Sequence, residues 1–350
     1  MHKIGHKNLP KISAIINVLN AGKTLEKCFE FFFAQNYPLS KLEIVIPEGG
    51  STDNSLEIIK KYQKRYIGRI KVVSNPKKYK LGRGMGADIA SRKASGDMIL
   101  MMDADNFLIQ KNWLKDMVSI LLKNKDINAV QSGTIVPKFG SAIDKYFGAI
   151  GIEDPFAIVY SLNAQVIFNP RRFQYNSKEK FYIYEVNKRD FYYFGDNGFL
   201  IWKRDFFEND GYTQDIDNSY RMALSDKKYK IAIPKNLKLH HKSSTTISNF
   251  LKKKGFYVRI YLKNNMENRY FNWFSLKKNS LRQNFRFINN VMYNLLILPG
   301  LMDGIKFALK EKKAFWLIHP MMINLITLEY IRSFFQTKFS KKEISLDSRP

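Results

Sequence analysis

The first hundred residues alternate between short apolar runs and segments of helical periodicity. Ile12–Val18 is a β-branched run followed by the turn residues Asn20-Ala21-Gly22. From Thr24 to Gln35 the apolar residues Leu25, Cys28, Phe29, Phe32 and Phe33 recur every three or four positions, which predicts a helix with one buried face. Leu42–Ile46 predicts a second strand, broken by Pro47-Glu48-Gly49-Gly50, and Ser51–Ser55 offers cap-forming residues for a second helix, Asp53 among them. Arg69–Ser74 predicts a third strand. A glycine-rich loop, Lys80–Gly86, leads into a helix from Ala87. Met98–Met102 is apolar at every position, as suits a strand buried on both faces, and it ends abruptly in Asp103-Ala104-Asp105. Strands alternating with helices predict an α/β fold: a mostly parallel central sheet with helices on both faces.

Ligands of such sheets bind beyond the carboxyl ends of the strands. Glu48, Arg83, Asp103 and Asp105 all fall at or just past those ends. Side chains alternate along a strand, so Asp103 and Asp105 point the same way. Two carboxylates held together repel unless a cation lies between them, and hard oxygen ligands with open positions suit Mg²⁺ or Mn²⁺ carrying substrate phosphates. Glu48 can accept the imino N–H of a nucleobase. Arg83 can add charge opposite a pyrophosphate, and a helix start offers backbone N–H groups to phosphate. Each residue also has a plain reading: a solvated strand end, a turn glutamate, ordinary loop glycines.

Composition narrows the class. At 350 residues with 45% hydrophobic positions the chain is globular and long enough for one large or two fused domains. The single cysteine, Cys28, excludes an internal disulfide and sits on the apolar face of a predicted helix. The N-terminal MHKIGHKNLPK lacks the apolar core of a secretory signal, so none is expected. The formal charge of +27 calls for an anionic partner: nucleic acid, a membrane surface or a phosphorylated substrate. From Lys252 to Arg286 there are ten Lys/Arg and one acid, Glu267, interleaved with aromatics. Two apolar stretches follow, Phe287–Met302 and Ala314–Leu328. Each is interrupted by Asn, Pro or His and is shorter than the roughly 20 residues of a comfortable span. They read as helices lying in or dipping into one leaflet, with two ordinary buried helices as the alternative.

Taken together, ISAIINVLN, EIVIPEGGSTDNS and LGRGMGADIASRKASGDMILMMDADN resemble the nucleotide-binding half of a family 2 glycosyltransferase of GT-A fold. The resemblance is specific over residues 10–106 and weaker to about residue 262. It implies sugar transfer from a nucleotide donor with inversion, normally with Mg²⁺ or Mn²⁺. It also implies that Glu48 contacts the nucleobase and that Asp103 and Asp105 hold ribose and metal. Three positions depart from the family pattern: Asn17-Val18-Leu19-Asn20 replaces Pro-x-Tyr-Asn, Glu48-Gly49 replaces a pair of acids, and Asp88 stands where asparagine is commoner.

In the second half, GDNGFLIWKRDFF (residues 195–207) resembles the strand and turn lining the acceptor pocket. Gln214–Arg221 resembles the Glu-Asp motif at a helix start, which implies Asp215 as general base, with Asp217 as fallback. His240 or His241 is expected to complete the metal shell, and Thr245–Gly255 to be a flexible segment closing over the donor. Residues 141–190 carry no motif and read as a connector. A Gln-x-x-Arg-Trp motif of processive polymerising relatives is absent, which favours one sugar per encounter. The domains expected are 1–140 for the nucleotide-sugar, 141–250 as connector and acceptor half, and 251–350 as a basic amphipathic helical region. The expected partners are a nucleotide-sugar donor, a lipid-linked acceptor such as a polyprenyl-phosphate saccharide, and an anionic membrane contacted peripherally on its cytosolic face, with no nucleic acid. The rivals are a sugar-phosphate nucleotidylyltransferase and a non-catalytic nucleic-acid-binding protein.

Overall fold

The computed structural model describes residues 9–75, 82–151, 154–155, 174–177, 180–188, 193–208, 211–212, 215–242, 246–264, 272 and 274–339. Of residues 82–85, 215, 217, 260, 261, 263 and 264 it describes the backbone alone. In chain order the elements are β1 (Ile12–Asn17), α1 (Leu25–Phe33), β2 (Leu42–Glu48), α2 (Ser55–Arg65), β3 (Ile70–Ser74), α3 (Gly82–Lys93), β4 (Met98–Asp103), β5 (Asn106–Phe107), α4 (Trp113–Lys123), β6 (Ala129–Gln131) and β7 (Gly133–Thr134). There follow α5 (Ala142–Ile150), β8 (Gln174–Asn176), β9 (Phe181–Glu185), β10 (Phe199–Trp202), α6 (Lys203–Glu208), α7 (Asp215–Leu224), β11 (Lys230–Pro234) and β12 (Lys238–His241). The last four are α8 (Ile247–Asn264), α9 (Leu281–Leu295), α10 (Ile297–Glu311) and α11 (His319–Phe339).

The chain divides into two compact units, Met1–Ile135 with Asn169–His241, and Val136–Phe168 with Lys242–Pro350. The first is built on a nine-stranded sheet of order β3-β2-β1-β4-β10-β6-β11-β9-β8. Strands β1 to β4 are mutually parallel, β10 runs antiparallel between β4 and β6, and β6 and β11 are parallel. The predicted mostly parallel sheet is therefore present, made mixed by antiparallel strands such as β10. β1 pairs with β4 in the register Asn17↔Asp103, so both residues lie at the same carboxyl edge. A second, three-stranded sheet of order β5-β12-β7 lies beyond β4 in the sequence.

The core follows the apolar pattern. Ile12, Ala14 and Ile16 of β1, Ile44 and Ile46 of β2, and Met98, Leu100 and Met102 of β4 pack with Cys28, Phe29 and Phe32 of α1. Each buried Ile, Leu, Met or Phe among them contributes about 1.5–3 kcal/mol of transfer free energy. One polar node crosses the sheet. Glu43, 2% exposed, accepts hydrogen bonds from Ser13 Oγ on β1 and from Ser95 N and Oγ, and pairs with Lys71 Nζ of β3 at 2.6 Å. Burial alone would raise its pKa, but the Lys71 ammonium and these hydrogen bonds outweigh it and hold the carboxyl at about 2.

Three local expectations change. β2 continues through Pro47 to Glu48 rather than stopping at Ile46. The glycines at 82, 84 and 86 lie within the first turns of α3, not in a loop. At Gly86 the helix crosses the sheet so closely that a Cβ would lie 2.7 Å from Asn75 Nδ2 and 3.2 Å from Pro47 Cβ, which explains a residue otherwise unfavourable in a helix. Residues 247–255, expected to be flexible, open the 18-residue helix α8.

The second unit is helical. Its core gathers Tyr146, Phe147 and Ile150 of α5, Phe250 of α8, Phe307 of α10, Trp316 of a short 3₁₀ turn (Ala314–Ile318), and Met322 and Ile326 of α11. His319 is fully buried there, with Nδ1 2.7 Å from Tyr146 Oη. Ala314–Phe339 is long and apolar enough to cross a membrane, with mean hydropathy 1.3, yet 44% of its apolar window is buried within the protein.

Candidate metal and donor site

The carboxyl edge of β4 carries the first candidate side chains. Asp103 closes the strand and Asp105 follows in the turn into β5. Asn106, fully buried, braces that turn: its Oδ1 accepts from Asp103 N at 3.0 Å and its Nδ2 donates to Asp105 Oδ1 at 3.3 Å. β12 then pairs antiparallel with β5 in the register His240↔Phe107 and His241↔Asn106. Alternation along β12 sends the two histidines to opposite faces. His240 packs edge-on against the Phe107 ring, 5.6 Å between centroids. His241 turns to the acids, with Nε2 3.5 Å from Asp105 Oδ1.

Asp103, Asp105 and His241 each offer one ligand atom, all within 4.8 Å of one another, and all three are half-buried. Two carboxylates and an imidazole form a donor set that fits Mn²⁺ or Mg²⁺. Beneath them lies Cys28, fully buried, its Sγ 3.7 Å from the Asp103 carbonyl oxygen. Burial, with Asp105 and Asp103 close by, pushes its thiol pKa far up, so it serves packing rather than chemistry.

Glu48 ends β2 on the same edge of the sheet. Its carboxylate accepts from Gly50 N at 2.7 Å and Ser51 N at 2.6 Å, so the turn after the strand fixes its direction while leaving lone pairs for another donor. Asp53, read from sequence as a helix cap, stands one residue before the N-cap of α2, Asn54, and accepts from Ser55 N and Oγ and from Gly22 N. Asn20, in the left-handed region at φ 53°, receives Thr52 N on its Oδ1, lacing the loop after β1 to the loop after β2. Asp88 pairs with Arg92 and accepts from Tyr212 N at 3.1 Å, joining α3 to the segment just before α7. Arg83 lies in the first turn of α3 and Asp215 and Asp217 in that of α7, but their side chains are outside the described residues.

The loop resembling the acceptor-pocket turn is held tightly. Gln131, at the end of β6, accepts from Gly195 N at 3.0 Å and donates to the carbonyls of Asp196 and Asn197. Ser219 of α7 receives Phe194 N and donates to Phe194 O. Gly195 and Gly198 have φ of +99° and +82°, a region open chiefly to glycine. Gly198 N then donates to the Met101 carbonyl, which brings this loop beside Asp103. Around the edge of the sheet, Asn75 Oδ1, Ser132 Oγ, Asn197 Oδ1 and both amide atoms of Asn218 are buried without a hydrogen-bond partner. Such atoms are costly unless a ligand or water meets them. Sequence reading did not single out Asn106, Gln131 or Asn218: Asn106 is revealed by the turn it braces, Gln131 by its bonds to residues 195–197, and Asn218 by its burial beside Gly195.

Several known proteins are similar. The sequence profile described as Glycosyl transferase family 2 matches residues 13–191. A Methanococcus voltae protein, dolichyl N-acetyl-alpha-D-glucosaminyl phosphate 3-beta-D-2,3-diacetamido-2,3-dideoxy-beta-D-glucuronosyltransferase, is 28% identical over 152 residues, 42% of this chain and 45% of that one. The poly(ribitol-phosphate) beta-N-acetylglucosaminyltransferase TarS of Staphylococcus aureus is 28% identical over 127 residues, 34% of this chain and 22% of that one. The matched stretch thus spans less than half the length of these curated relatives. Among solved structures, the mannosyltransferase PcManGT of Pyrobaculum calidifontis in complex with GDP-Man and Mn²⁺ superposes with a TM-score of 0.53 at 12% identity, covering 96% of this chain and 89% of that one. That likeness bears on the fold, which is GT-A. With a profile match across half its length, carrying the strand-end carboxylates, this chain belongs to glycosyl transferase family 2.

Proposed function

We propose that the protein is an inverting, metal-dependent glycosyltransferase that moves a sugar from a nucleotide-sugar to a hydroxyl or phosphate of a lipid-linked acceptor. A polyprenyl-phosphate-linked saccharide on the cytosolic face of a membrane is the fitting acceptor. The observation that carries the reading is the grouping of Asp103, Asp105 and His241 at the carboxyl edge of a mostly parallel sheet in a family 2 chain. Mg²⁺ or Mn²⁺ at these residues would neutralise charge on the departing diphosphate. Glu48, aimed by Gly50 N and Ser51 N, accepts the imino N–H of the base. Arg83, at the start of α3, adds positive charge to the pyrophosphate. Asp215, with Asp217 as fallback, takes the proton of the acceptor hydroxyl as the new bond forms, on the side opposite the leaving group; inversion follows.

The lipid-linked acceptor is supported by the dolichyl phosphate compound in the name of the M. voltae relative and by the basic helical region after residue 251. In this reading residues 1–140 bind the donor, 141–250 the acceptor, and 251–350 the anionic membrane surface. Membership of a glycosyltransferase family favours sugar transfer over the nucleotidylyltransferase and nucleic-acid readings.

Thermal-shift titration with UDP-, GDP- and dTDP-sugars, with and without Mn²⁺, tests the assignment. One donor should raise the melting temperature, and only with metal present, since a ligand bound to the native state alone stabilises it by mass action. No shift with any sugar nucleotide, or an equal shift in chelator, would remove the metal-dependent reading.

A further inference from the structure

Helix α9 is amphipathic in reverse. Its buried residues are Asn284 and Asn294, whereas Leu281, Phe285, Ile288 and Met292, spaced four, three and four apart, form one stripe exposed by 47–86%. A helix of a water-soluble protein turns such a stripe toward the core. α10 repeats the pattern: Leu298, Leu301, Met302, Ile305 and Leu309 are exposed, and its buried side is Gly300, Gly304 and Phe307. The two helices meet at an 80° bend. The corner is Leu296-Ile297-Leu298, exposed by 56%, 65% and 67%. Single exposed apolar residues are ordinary, but a continuous row marks a surface that meets something other than water.

Polar atoms at the bend are turned inward. Asn324 Nδ2 of α11 donates to the Asn294 and Leu295 carbonyls, which the break in the helix has freed, both at 3.3 Å. Asn294 Nδ2 donates to Thr327 Oγ1 at 3.0 Å, and Tyr293 Oη donates to Asp303 Oδ2 at 2.6 Å. Internal pairing of this kind is what a nonpolar surrounding demands of irregular backbone. Gly300 and Gly304 let α10 lie directly on α11, since a Cβ would come within 3.1 Å of Pro320 Cα or 2.9 Å of the Trp316 carbonyl oxygen.

Charge is sorted along both legs. Asp303 is the one charged residue between Arg286 and Lys306. Lys277, Lys278, Arg282 and Arg286 come before that stretch, and Lys306, Lys310, Lys312 and Lys313 end or follow it. Each leg is therefore apolar toward the corner and basic away from it. Each is 15 residues, about 22 Å at 1.5 Å per residue, and half the hydrocarbon core is about 15 Å thick, so the apolar half of a tilted leg fits one leaflet. Cations at the far ends then lie at the depth of lipid phosphates.

We propose that the α9–α10 corner inserts into one leaflet of an anionic phospholipid bilayer, tip-first at Leu296–Leu298, with the flanking lysines and arginines on lipid phosphates. This deepens the lipid-linked reading of the acceptor by naming the surface that meets the membrane, and it is tested separately from it. The full chain is floated at low salt with vesicles of phosphatidylcholine and phosphatidylglycerol (7:3) and of phosphatidylcholine alone. Binding should be about ten-fold stronger to the anionic vesicles and fall about ten-fold in I297D/L298D, with the melting temperature and the Mn²⁺-dependent donor response unchanged. Charge reversal in K306E/K310E should weaken binding at low salt and matter little at high salt. In an Ile297→Trp variant, acyl-chain-brominated lipid should quench emission beyond the loss seen in the parent chain. Absence of flotation with anionic vesicles, flotation indifferent to I297D/L298D, or no added quenching would overturn the proposal. A lipid-free dimer dissociated by I297D/L298D would also overturn it, making the corner an interface between copies. A preserved donor response alongside absent flotation would fail the membrane surface alone, whereas flotation without any donor response would fail the enzymatic reading alone.

Discussion

At the scale of the residue, the two adjacent histidines separate by register. His241 shares a face with Asp105 and Asp103, while His240 is spent on the Phe107 ring. His241→Ala should therefore weaken Mn²⁺ binding about ten-fold or more, and His240→Ala should leave it nearly unchanged. Calorimetric titration of the metal into each variant checks this, and equal losses would contradict it. Asp215→Asn should abolish transfer while the Mn²⁺-dependent donor shift persists, because in the proposed role the carboxylate acts on the acceptor proton rather than on the nucleotide. Steady-state assay beside thermal shift separates the two, and parallel loss would assign Asp215 to structure. Gly198 offers a contrast with Gly68, since both have positive φ. A Cβ at Gly198 would press to 2.2 Å from Ser132 Oγ and 2.6 Å from Leu239 Cδ2, whereas at Gly68 it meets nothing within 4 Å. Gly68→Ala should cost about 1 kcal/mol from backbone strain alone, and Gly198→Ala about 2–4 kcal/mol, read by urea unfolding.

Among elements, strands β1 to β4 are tied together near their amino ends by one buried acid. Glu43 on β2 receives Ser13 of β1, Lys71 of β3 and Ser95 just before β4. Its folded pKa, about 2, lies below the ordinary carboxylate value. A depressed pKa contributes stability that is full above the unfolded value and is lost as pH falls through the folded one. The first unit should thus lose this contribution between about pH 5 and pH 2. Glu43→Gln should cost about 1–3 kcal/mol at neutral pH, since a buried site loses its charge-assisted hydrogen bonds. It should also flatten the acid limb of a urea-unfolding series, and an unchanged limb would place the pH dependence elsewhere. The elements α9 and α10 show the opposite arrangement: the buried residues are Asn284 and Asn294 in α9 and Gly300, Gly304 and Phe307 in α10, while an apolar stripe of each faces out, so helical periodicity alone points the wrong way.

For the whole molecule, two cores with different buried titrating groups imply two acid sensitivities. In the second unit burial, opposed by Asp303, lowers the His319 pKa to about 4. The unfolded chain takes up that proton near pH 6.5, so the stabilisation present above this value disappears as pH falls toward 4. Protonation would also leave a charged Nε2–H in a site where that atom has no hydrogen-bond partner. In the first unit the Glu43 contribution survives to lower pH. Hydrogen exchange at pH 4.5 against pH 7, corrected for intrinsic rates, should therefore show protection lost in α5 and α11 before β1 to β4. The reverse order would contradict the assignment. The charge of +27 belongs to this scale as well. It favours phosphate-bearing partners over the whole surface without naming one, and the arrangement about the α9–α10 bend gives part of it a direction.

Local pattern determined much of this protein. β1 to β4 and the helices α1 and α2 follow from apolar periodicity, because a strand buried on both faces and a one-sided helix write different repeats into the chain. Asp103 and Asp105 were legible for the same reason, standing where such a strand must end. Boundaries set by close approach were not: Gly86 tolerates a helix because β2 and Asn75 crowd it, a fact held by residues distant in the chain. Tertiary structure alone brought His241 rather than His240 to the two acids, since this depends on the pairing of β12 with β5, 133 residues apart at Phe107 and His240. It alone brought Gln131 and Asn218 to the Gly195–Gly198 turn. It alone turned the apolar stripe of α9 outward. Sequence fixes what each element can bury; which surfaces meet is decided by long-range pairing, and there the site was made.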